Sequence, residues 1–316
     1  MRLSKFYSML CFNLNFYSQK YKQAIFKMNA LKENGELYII GTGIKSISHI
    51  TIEAKSHIQS CDKLLYVVAD EITKSWLTEM NKTAEDMTKF YTNGKQREQT
   101  YIEMAEYSLS FVRKGLNVCV AYYGHPGVFV APSFLSYKRA KDEGYYVEML
   151  PGISAEDCMF CDLGFDPARV GCQSFEVTDF LVYNRKFDSR CNLILWQIGV
   201  IANLDFQRKY EITDALNILT NCLKEHYPPT HKIVLYEASM FKVCKPIINI
   251  FSLQDLPKQE MSAISTLYIP PCENSIADID IVTRLNIPLE YCKRDSKNNV
   301  FIASSTFDQS FFQTLP

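Results

Sequence analysis

The most constraining feature of this sequence is an alternation of short apolar runs with amphipathic segments that begins near residue 36. The apolar runs are rich in β-branched and aromatic residues, which predicts buried strands at ELYIIG, KLLYVVAD, LNVCVAYYG and YYVEML. Apolar residues at helical spacing predict helices at ITIEAKSHIQSCD, EITKSWLTEMN, REQTYIEMAEYSLSFVRKG and APSFLSYKRAKDEG, with a polar, turn-rich loop between the second and third. This order predicts an α/β domain built on a mainly parallel sheet.

A different pattern follows PGISAED. Longer and more variable strands are predicted at QSFEVTDFLVY, NLILWQIG, KIVLYEAS and ISTLYIPP, with one amphipathic helix at EITDALNILTNCLKEHY. We therefore predict a second α/β domain with a mixed sheet. The predicted organisation is a disordered extension at 1–34, an N-terminal α/β domain at 35–150, a C-terminal α/β domain at 151–272, and a C-terminal helix with a polar tail from about Lys293 at 273–316.

Residues 1–27 differ in composition from the rest of the chain. They include five basic residues, no acidic residue and many aromatics. This composition is compatible with a mitochondrial presequence, but it suits a disordered extension or a true start at Met28 equally well. We favour the last two interpretations.

Composition excludes several classes of function. A net charge of -1 provides no basic excess to neutralise the phosphates of a nucleic acid. No apolar run approaches the roughly 18 residues that a membrane span needs, so we expect no membrane partner. The 11 cysteines are scattered and odd in number, which favours a reducing compartment, here taken as the cytoplasm. Cys158 and Cys161 form a CxxC motif inside a predicted helix, and without a second pair we expect core packing and no metal site.

Glycine-rich loops follow three of the predicted strands. A GTG loop at residues 41–43 follows the first strand, but Ser46 stands where a dinucleotide fingerprint needs its third glycine. This loop is as compatible with a plain turn as with a ligand site.

YYGHPGVF and MLPGISAED are more specific, because ligands of open α/β sheets bind at the ends of strands. In the second loop, Ser154 and Asp157 have the spacing of a capping box, which would itself explain the serine. A lone histidine such as His125 is more often structural than catalytic, so we do not assign it as a base. Two such loops at successive strand ends predict one shared ligand cleft.

Together these loops resemble those of the tetrapyrrole-methylase family of methyltransferases. A closer resemblance is to the borosin peptide backbone α-N-methyltransferases, through YGHPGVFVAPS, LPGISAEDC, DLGFDP, GCQSFEVTDFL, LWQIG, YEAS and STLYIPP. It covers about residues 36–290 and implies a two-domain α/β fold that binds S-adenosylmethionine between its domains. His125 replaces the acidic residue usual in the wider family and fits the borosin branch.

The resemblance also implies which residues contact S-adenosylmethionine. These are Tyr123, His125, Val128, Phe129, Ser154, Ala155, Gln197, Ala238, Ser265 and Thr266. For Gln197, the alternative is a polar residue that merely ends a strand.

Backbone N-methylation makes a particular chemical demand. An amide nitrogen is a poor nucleophile because its lone pair is delocalised into the carbonyl group, so the amide proton must be removed and charge on the oxygen stabilised. By resemblance, Tyr91, Arg97, Tyr101 and Tyr123 form the active site. We predict that Tyr101 is the general base, aided by Tyr91, that Arg97 tunes the phenol and holds the peptide carbonyl, and that Tyr123 lines the transfer site.

The ordinary alternative is that these residues only pack. The chain has 19 tyrosines, and an arginine four residues before a tyrosine is a common helix contact. Thr88 stands where the fungal enzymes have a further active-region tyrosine, so substrate positioning is expected to differ.

The fungal borosin enzymes carry their substrate peptide at their own C-terminus, after a long additional domain. Here 45 residues follow Pro271, and NSIADIDIVTRLNIPLEYC resembles the short terminus of split borosins, which predicts a separate precursor peptide. The tail NNVFIASSTFDQSFFQTLP is the alternative substrate, but it is not rich in valine, isoleucine and glycine. A homodimer is expected by resemblance.

Two other functions remain open. A methyltransferase of the same family could act on a tetrapyrrole or a similar small molecule, although a ring atom would not need the tyrosine and arginine cluster. The chain could also be a cofactor-binding protein without activity, which the intact loops disfavour.

Overall fold

The computed structural model describes residues 35–206, 211–294 and 300–302. The strands of the first sheet are β1 (Glu36–Gly41), β2 (Lys63–Val67), β3 (Glu85–Asp86), β4 (Asn117–Tyr122) and β5 (Tyr146–Met149). They lie in the order β3-β2-β4-β1-β5, and every pairing is parallel. The prediction of a mainly parallel first sheet is confirmed.

Helices alternate with these strands. They are α1 (Ile52–Ser60), α2 (Glu71–Met80), α3 (Arg97–Val112) and α4 (Ala131–Asp142). Side-chain caps fix where α1 and α2 begin: Thr51 accepts a hydrogen bond from the amide of Ala54, and Asp70 accepts one from the amide of Thr73. The central strands β1 and β4 are buried on both faces, which explains their nearly continuous apolar sequences.

The second sheet has five strands of mixed direction. They are β6 (Cys172–Glu176), β7 (Asn192–Trp196), β8 (Lys232–Glu237), β9 (Ile247–Ser252) and β10 (Thr266–Ile269). Their order is β6-β7-β10-β8-β9, with β6 parallel to β7 and the other pairings antiparallel. The predicted mixed sheet is confirmed.

This sheet has a hydrophobic core on each face. The helices of this part are α5 (Ala155–Leu163), α6 (Pro167–Val170), α7 (Val177–Val182) and α8 (Thr213–Lys224). On one face α8 packs through Leu216, Leu219 and Leu223, and on the other α5 packs through Met159 and Leu163. Both helices follow the amphipathic spacing read from the sequence.

Two predictions about elements are wrong. QSFEVTDFLVY is not one strand, because β6 ends at Glu176 and α7 follows. The Glu176 side chain caps that helix by accepting a hydrogen bond from the amide of Asp179 at 2.7 Å, and Val177 and Phe180, three residues apart, are buried as on a helix. The loop before α3 is also more structured than predicted, since it contains β3 and a 3-10 helix, Met87–Phe90.

The chain divides into two compact units. Of the described residues, the first comprises 35–42, Ile50–Phe90 and Glu98–Gly152, and the second comprises Gly43–His49, Tyr91–Arg97 and the described residues from Ile153 onward. Among the described residues, no helix has the length and apolar character that a membrane crossing would require.

Beyond the second sheet lie α9 (Ile279–Arg284) and an antiparallel pair, β11 (Cys292–Arg294) and β12 (Val300–Ile302). The described part of this segment thus contains a helix and a short strand pair, where the sequence predicts a helix and a polar tail. The predictions about residues 1–34 and about the tail beyond Ile302 concern parts of the chain outside the described residues.

Candidate active site

The loop that follows β4 contains four of the predicted site residues. The Nδ1 atom of His125 accepts a hydrogen bond from the amide of Gly127 at 2.8 Å, and the amide of Val128 donates to the His125 carbonyl at 3.2 Å. With Nδ1 used as an acceptor, a neutral His125 carries its proton on Nε2. His125 thus shapes the loop around it. Tyr123 is half-buried at the start of this loop, and Phe129 near its end is 43% exposed.

Three loops of the first unit meet through their backbones. A side-chain carbon added at Gly41 would lie 2.2 Å from the carbonyl oxygen of Gly124, and one added at Gly152 would lie 3.1 Å from the same oxygen. The first contact leaves no space for a Cβ atom, and the second leaves only a tight fit. The glycines that the sequence pattern singled out are therefore needed for packing between the loops that end β1, β4 and β5.

Helix α3 carries two of the predicted catalytic residues, Arg97 at its first residue and Tyr101 one turn later. The sequence pattern put Tyr101 on the apolar stripe of this helix, with Met104, Ala105 and others. The structure buries those two residues completely, whereas Tyr101 and Arg97 are half-buried. Tyr101 is thus at the margin of the core and only partly buried.

Tyr91 and the chain up to Arg97 pair with a short segment that ends at Phe206. The ring of Tyr91 lies 5.2 Å, centroid to centroid, from the ring of Phe206. The amide of Gly94 donates to the Phe206 carbonyl at 2.8 Å, and the amide of Arg97 donates to the Leu204 carbonyl at 3.2 Å. This pairing within the second unit holds the backbone from Gly94 to Arg97 and packs the ring of Tyr91.

Four predicted cofactor residues lie at one edge of the second sheet. Gln197 follows the end of β7, Ala238 follows the end of β8, and Ser265 and Thr266 stand at the start of β10. Because β10 is antiparallel to both neighbours, its start is at the edge where the other two strands end. The structure brings these four residues together. Gln197 and Ala238 are half-buried, and Ser265 and Thr266 are 0% and 3% exposed.

Strained backbone occurs at two predicted cofactor residues. Phe129 has φ 55 and Gln197 has φ 60, values in the left-handed region that side-chain-bearing residues seldom adopt. Such conformations persist where the surroundings impose them, and they are frequent at ligand sites. One of the two lies in each unit: Gln197 directly follows β7, and Phe129 lies near the end of the loop after β4.

Ser154 and Ala155 begin helix α5. The Ser154 hydroxyl accepts a hydrogen bond from the amide of Asp157 at 3.2 Å, and the Asp157 carboxylate accepts one from the amide of Ser154 at 2.7 Å. The predicted capping box is confirmed. Burial raises the pKa of the neighbouring Glu156 carboxyl, and the charge of Asp157 raises it further.

The prediction of core packing for the cysteine motif of α5 holds for Cys158 and is wrong for Cys161, which is exposed. Cys158 lies against the core that contains Met159 and Leu163, and burial raises the pKa of its thiol to about 11. Within the part of the chain that the structure describes, no group of three or more histidine, cysteine or acidic side chains is arranged to hold a metal ion.

Two residues at the site were not predicted from the sequence. Phe206 packs on Tyr91, and Glu237, the last residue of β8, accepts hydrogen bonds from Ser262 and Ser265. Both contacts join residues far apart in the chain. Phe206 lies in no recognisable motif, whereas Glu237 lies in the YEAS motif, which pointed to Ala238 and gave its glutamate no role.

The chain belongs to the tetrapyrrole (corrin/porphyrin) methylase family, whose model matches residues 36–242. The fold agrees with that of the uroporphyrin-III-C-methyltransferase from Thermus thermophilus, with a TM-score of 0.52, 16% identity, and coverage of 84% of this chain and 99% of the other. At that identity the likeness concerns the fold alone.

More similar relatives come from fungi. A methyltransferase and ribosomally synthesized cyclic peptide gymnopeptides precursor from Gymnopus fusipes is 43% identical over 260 residues, which are 81% of this chain and 62% of the relative. A methyltransferase and ribosomally synthesized type I borosin cyclic peptide precursor from Coprinopsis marcescibilis is 42% identical over 243 residues, covering 75% and 62%. The predicted resemblance to borosin methyltransferases is confirmed. The chain spans about 62% of the length of these two relatives.

Proposed function

We propose that this protein is an S-adenosylmethionine-dependent methyltransferase that methylates backbone amide nitrogens of a ribosomally made precursor peptide. One observation carries the proposal: relatives 42–43% identical over at least 75% of the chain are described as methyltransferases joined to cyclic peptide precursors. The site residues are compatible with this chemistry in two respects.

The first is the fit of the cofactor. S-adenosylmethionine has an adenine ring, ribose hydroxyls, an ammonium group and a carboxylate, so it needs exposed backbone hydrogen-bonding groups and small side chains beside it. Ala238 and the backbone after β4 meet this need, and the left-handed conformations of Phe129 and Gln197 turn strand-end backbone away from regular structure. The residues proposed to hold the cofactor are those given above for the two units. When bound, the cofactor supplies an electrophilic methyl group.

The second is the chemistry of the proposed catalytic residues. Tyr101 accepts the amide proton, so the nitrogen lone pair becomes available for the new N–C bond. A phenol has a pKa of about 10, so it needs help to act as a base, and a nearby guanidinium favours the phenolate. Arg97, one helical turn before Tyr101, is placed to provide that charge and to stabilise the peptide oxygen.

Tyr91 and Tyr123 complete the proposed site. Tyr91, fixed by its contact with Phe206, assists Tyr101, and Tyr123 lines the transfer position beside the loop after β4. Bringing the amide nitrogen in line with the methyl donor contributes the remainder of the rate enhancement.

The finer parts of the proposal concern partners and location. The resemblance of NSIADIDIVTRLNIPLEYC to split borosins supports a precursor peptide supplied as a separate chain. Resemblance also supports a homodimer, and the scattered cysteines support a reducing compartment such as the cytoplasm.

The test is incubation of the purified protein with S-adenosylmethionine and candidate precursor peptides, followed by intact-mass measurement of both peptide and protein. Increments of one methylene on a separate peptide support the function in trans. Increments confined to the tail of the chain itself would move the substrate to the same molecule. Cofactor turnover with a tetrapyrrole and none with any peptide would contradict the proposal and favour a small-molecule methylase.

A further inference from the structure

The end of β8 lies beside the turn that leads into β10. These two strands are antiparallel, and Thr266 is the register partner of Tyr236. Glu237, the next residue after Tyr236, therefore lies at the edge of the sheet where Ala238 and Thr266 are found. Its side chain is half-buried.

The carboxylate of Glu237 holds this turn through two hydroxyl groups. Its Oε1 atom accepts a hydrogen bond from the Ser262 hydroxyl at 2.6 Å and another from the Ser265 hydroxyl. The turn is also closed on itself, since the amide of Ser262 donates to the Ser265 hydroxyl at 2.8 Å and the amide of Ser265 donates to the Ser262 carbonyl at 3.1 Å. Charge-assisted hydrogen bonds of this kind are stronger than bonds between neutral groups.

The same turn also supports the loop that follows β7. A side-chain carbon at Gly199 would lie 1.8 Å from the carbonyl oxygen of Ser262, so the two backbones are in direct contact. Gly199 is two residues after Gln197, whose backbone is in the left-handed region. The position of the Ser262–Ser265 turn therefore affects both neighbouring loops at this edge.

We propose that Glu237 is a positioning residue for the cofactor: its carboxylate fixes the Ser262–Ser265 turn and thereby the placement of Thr266, Ala238 and Gln197. The inference rests on the proposed function, because it takes this edge as part of the S-adenosylmethionine site. Glu237 acts through the two serines and need not touch the cofactor.

The first measurement is the Kd for S-adenosylmethionine, determined by isothermal titration calorimetry with no peptide present. The second is a kinetic assay with peptide, which gives the KM values for cofactor and for peptide. Glu237→Ala removes both acceptor bonds, and we expect the cofactor Kd and KM to rise about ten-fold, the KM for peptide being unchanged. Glu237→Gln keeps a carbonyl oxygen that can accept both hydroxyl groups, so it should stay within about three-fold of the unsubstituted protein. Glu148→Ala is the matched control, since Glu148 is a strand glutamate that accepts a hydrogen bond from the Tyr146 hydroxyl at 2.9 Å.

A double-mutant cycle protects the test against misfolding of Glu237→Ala. Ser262 is exposed, so Ser262→Ala should fold, and we expect it to raise the cofactor Kd about three-fold. If the two residues act through their shared hydrogen bond, Ser262→Ala should have no further effect in the Glu237→Ala protein, which has lost that bond, but should still raise the cofactor Kd about three-fold in the Glu237→Gln protein, which keeps it.

The outcomes separate the inference from the function on which it rests. Unchanged cofactor Kd in Glu237→Ala and Ser262→Ala, with normal binding by the unsubstituted protein, would overturn the positioning role and leave the function standing. Equal losses in Glu237→Gln and Glu237→Ala, with no loss in Ser262→Ala, would also overturn it, because the charge of Glu237 would then act without its hydrogen bonds to the turn. No cofactor binding by the unsubstituted protein would overturn both.

Discussion

The two sheets hold the loops at their strand ends in different ways. In the first unit, the loops after β1, β4 and β5 meet backbone against backbone at Gly41, Gly124 and Gly152. In the second unit, polar side chains fix the corresponding edge, chiefly through the bonds from Ser262 and Ser265 to Glu237. Gly199 adds one backbone contact there.

This difference follows from the direction of the strands. In a parallel sheet all strands end at the same edge, so several loops crowd together and glycine lets their backbones approach. In the mixed sheet β10 begins where β7 and β8 end, so a turn entering a strand must be held beside loops leaving strands. Side-chain hydrogen bonds can hold such a turn without close backbone contact. Substitution of a glycine at the first edge should therefore destabilise the first unit. Substitution of a hydrogen-bonding side chain at the second edge should mainly change the affinity for the cofactor.

The largest effect is expected for Gly41→Ala. The new carbon would lie 2.2 Å from the Gly124 carbonyl oxygen, and neither backbone can move without disturbing its strand. We expect the free energy of unfolding to fall by more than about 3 kcal/mol, or the protein to be insoluble. Urea unfolding followed by circular dichroism measures the change.

Gly144→Ala is the matched control for that substitution. Gly144 has φ +83 but nothing within 4 Å of an added carbon, so Gly144→Ala should lower the free energy of unfolding only through backbone strain. That cost is about 1 kcal/mol. If Gly41→Ala lowers the free energy of unfolding no more than Gly144→Ala does, close backbone packing is not what holds the loops at the edge of the first sheet.

A smaller effect is expected for Tyr268→Phe in the second sheet. The buried Tyr268 hydroxyl donates to the Oδ1 atom of Asn192 at 2.8 Å, and Asn192 is itself 1% exposed. Loss of this donor from a buried acceptor should lower the free energy of unfolding by about 1–2 kcal/mol. Tyr183→Phe, at a tyrosine that is 67% exposed, should change it by less than about 0.5 kcal/mol. Equal effects of the two variants would mean that polar side chains do not stabilise the second sheet in this way.

The smallest effect concerns acid stability of the first unit, which uses ionic side chains at its edge strand β3. Hydrogen bonds from Lys63 and Lys89 lower the pKa of Glu85 from 4.5 to about 2, against the opposing effect of burial. Since the folded pKa lies below the unfolded one, this stabilisation is fully present above pH 4.5 and is lost as the pH falls toward 2.

Glu85→Gln tests that dependence. At neutral pH it should lower the free energy of unfolding by about 1 kcal/mol, because the cluster is partly exposed. The difference from the unsubstituted protein should shrink at a pH between the two pKa values, as measured by urea unfolding. A difference that is the same at both pH values would show that the charge of Glu85 does not contribute.

Local patterns explain how much of this could be predicted from the sequence. The strands β1, β2 and β4 are apolar runs that end in turn residues, and β5 is such a run interrupted by Glu148, so the local pattern was enough. The edge strand β9 was not predicted, because Asn249 interrupts a short run whose inner face is only partly buried. The change from strand to helix after Glu176 was missed because the apolar residues of VTDFLV are compatible with either a strand or a helix. The hydrogen bond from the Asp179 amide to the Glu176 side chain favours the helix.

The site divides in the same way. Loops such as YYGHPGVF and LPGISAED were recognisable because glycine, proline and a capping serine impose local geometry. The contact of Phe206 with Tyr91, and the bond of Glu237 to Ser265 across 28 residues, depend on tertiary packing that no local pattern encodes. The catalytic and cofactor roles themselves came from the family resemblance and remain proposals.

The most direct test of the central claim is tandem mass spectrometry of a precursor peptide after reaction with the unsubstituted protein, with Tyr101→Phe and with Tyr107→Phe. Tyr107 is on the same helix, and its hydroxyl donates to Glu85 at 2.7 Å, so it controls for loss of a phenol from α3. The account predicts methyl groups on backbone nitrogens, formed at least about a hundred-fold more slowly by Tyr101→Phe and at nearly the normal rate by Tyr107→Phe. Methylation on side chains alone, or an equal rate for Tyr101→Phe and the unsubstituted protein, would contradict it.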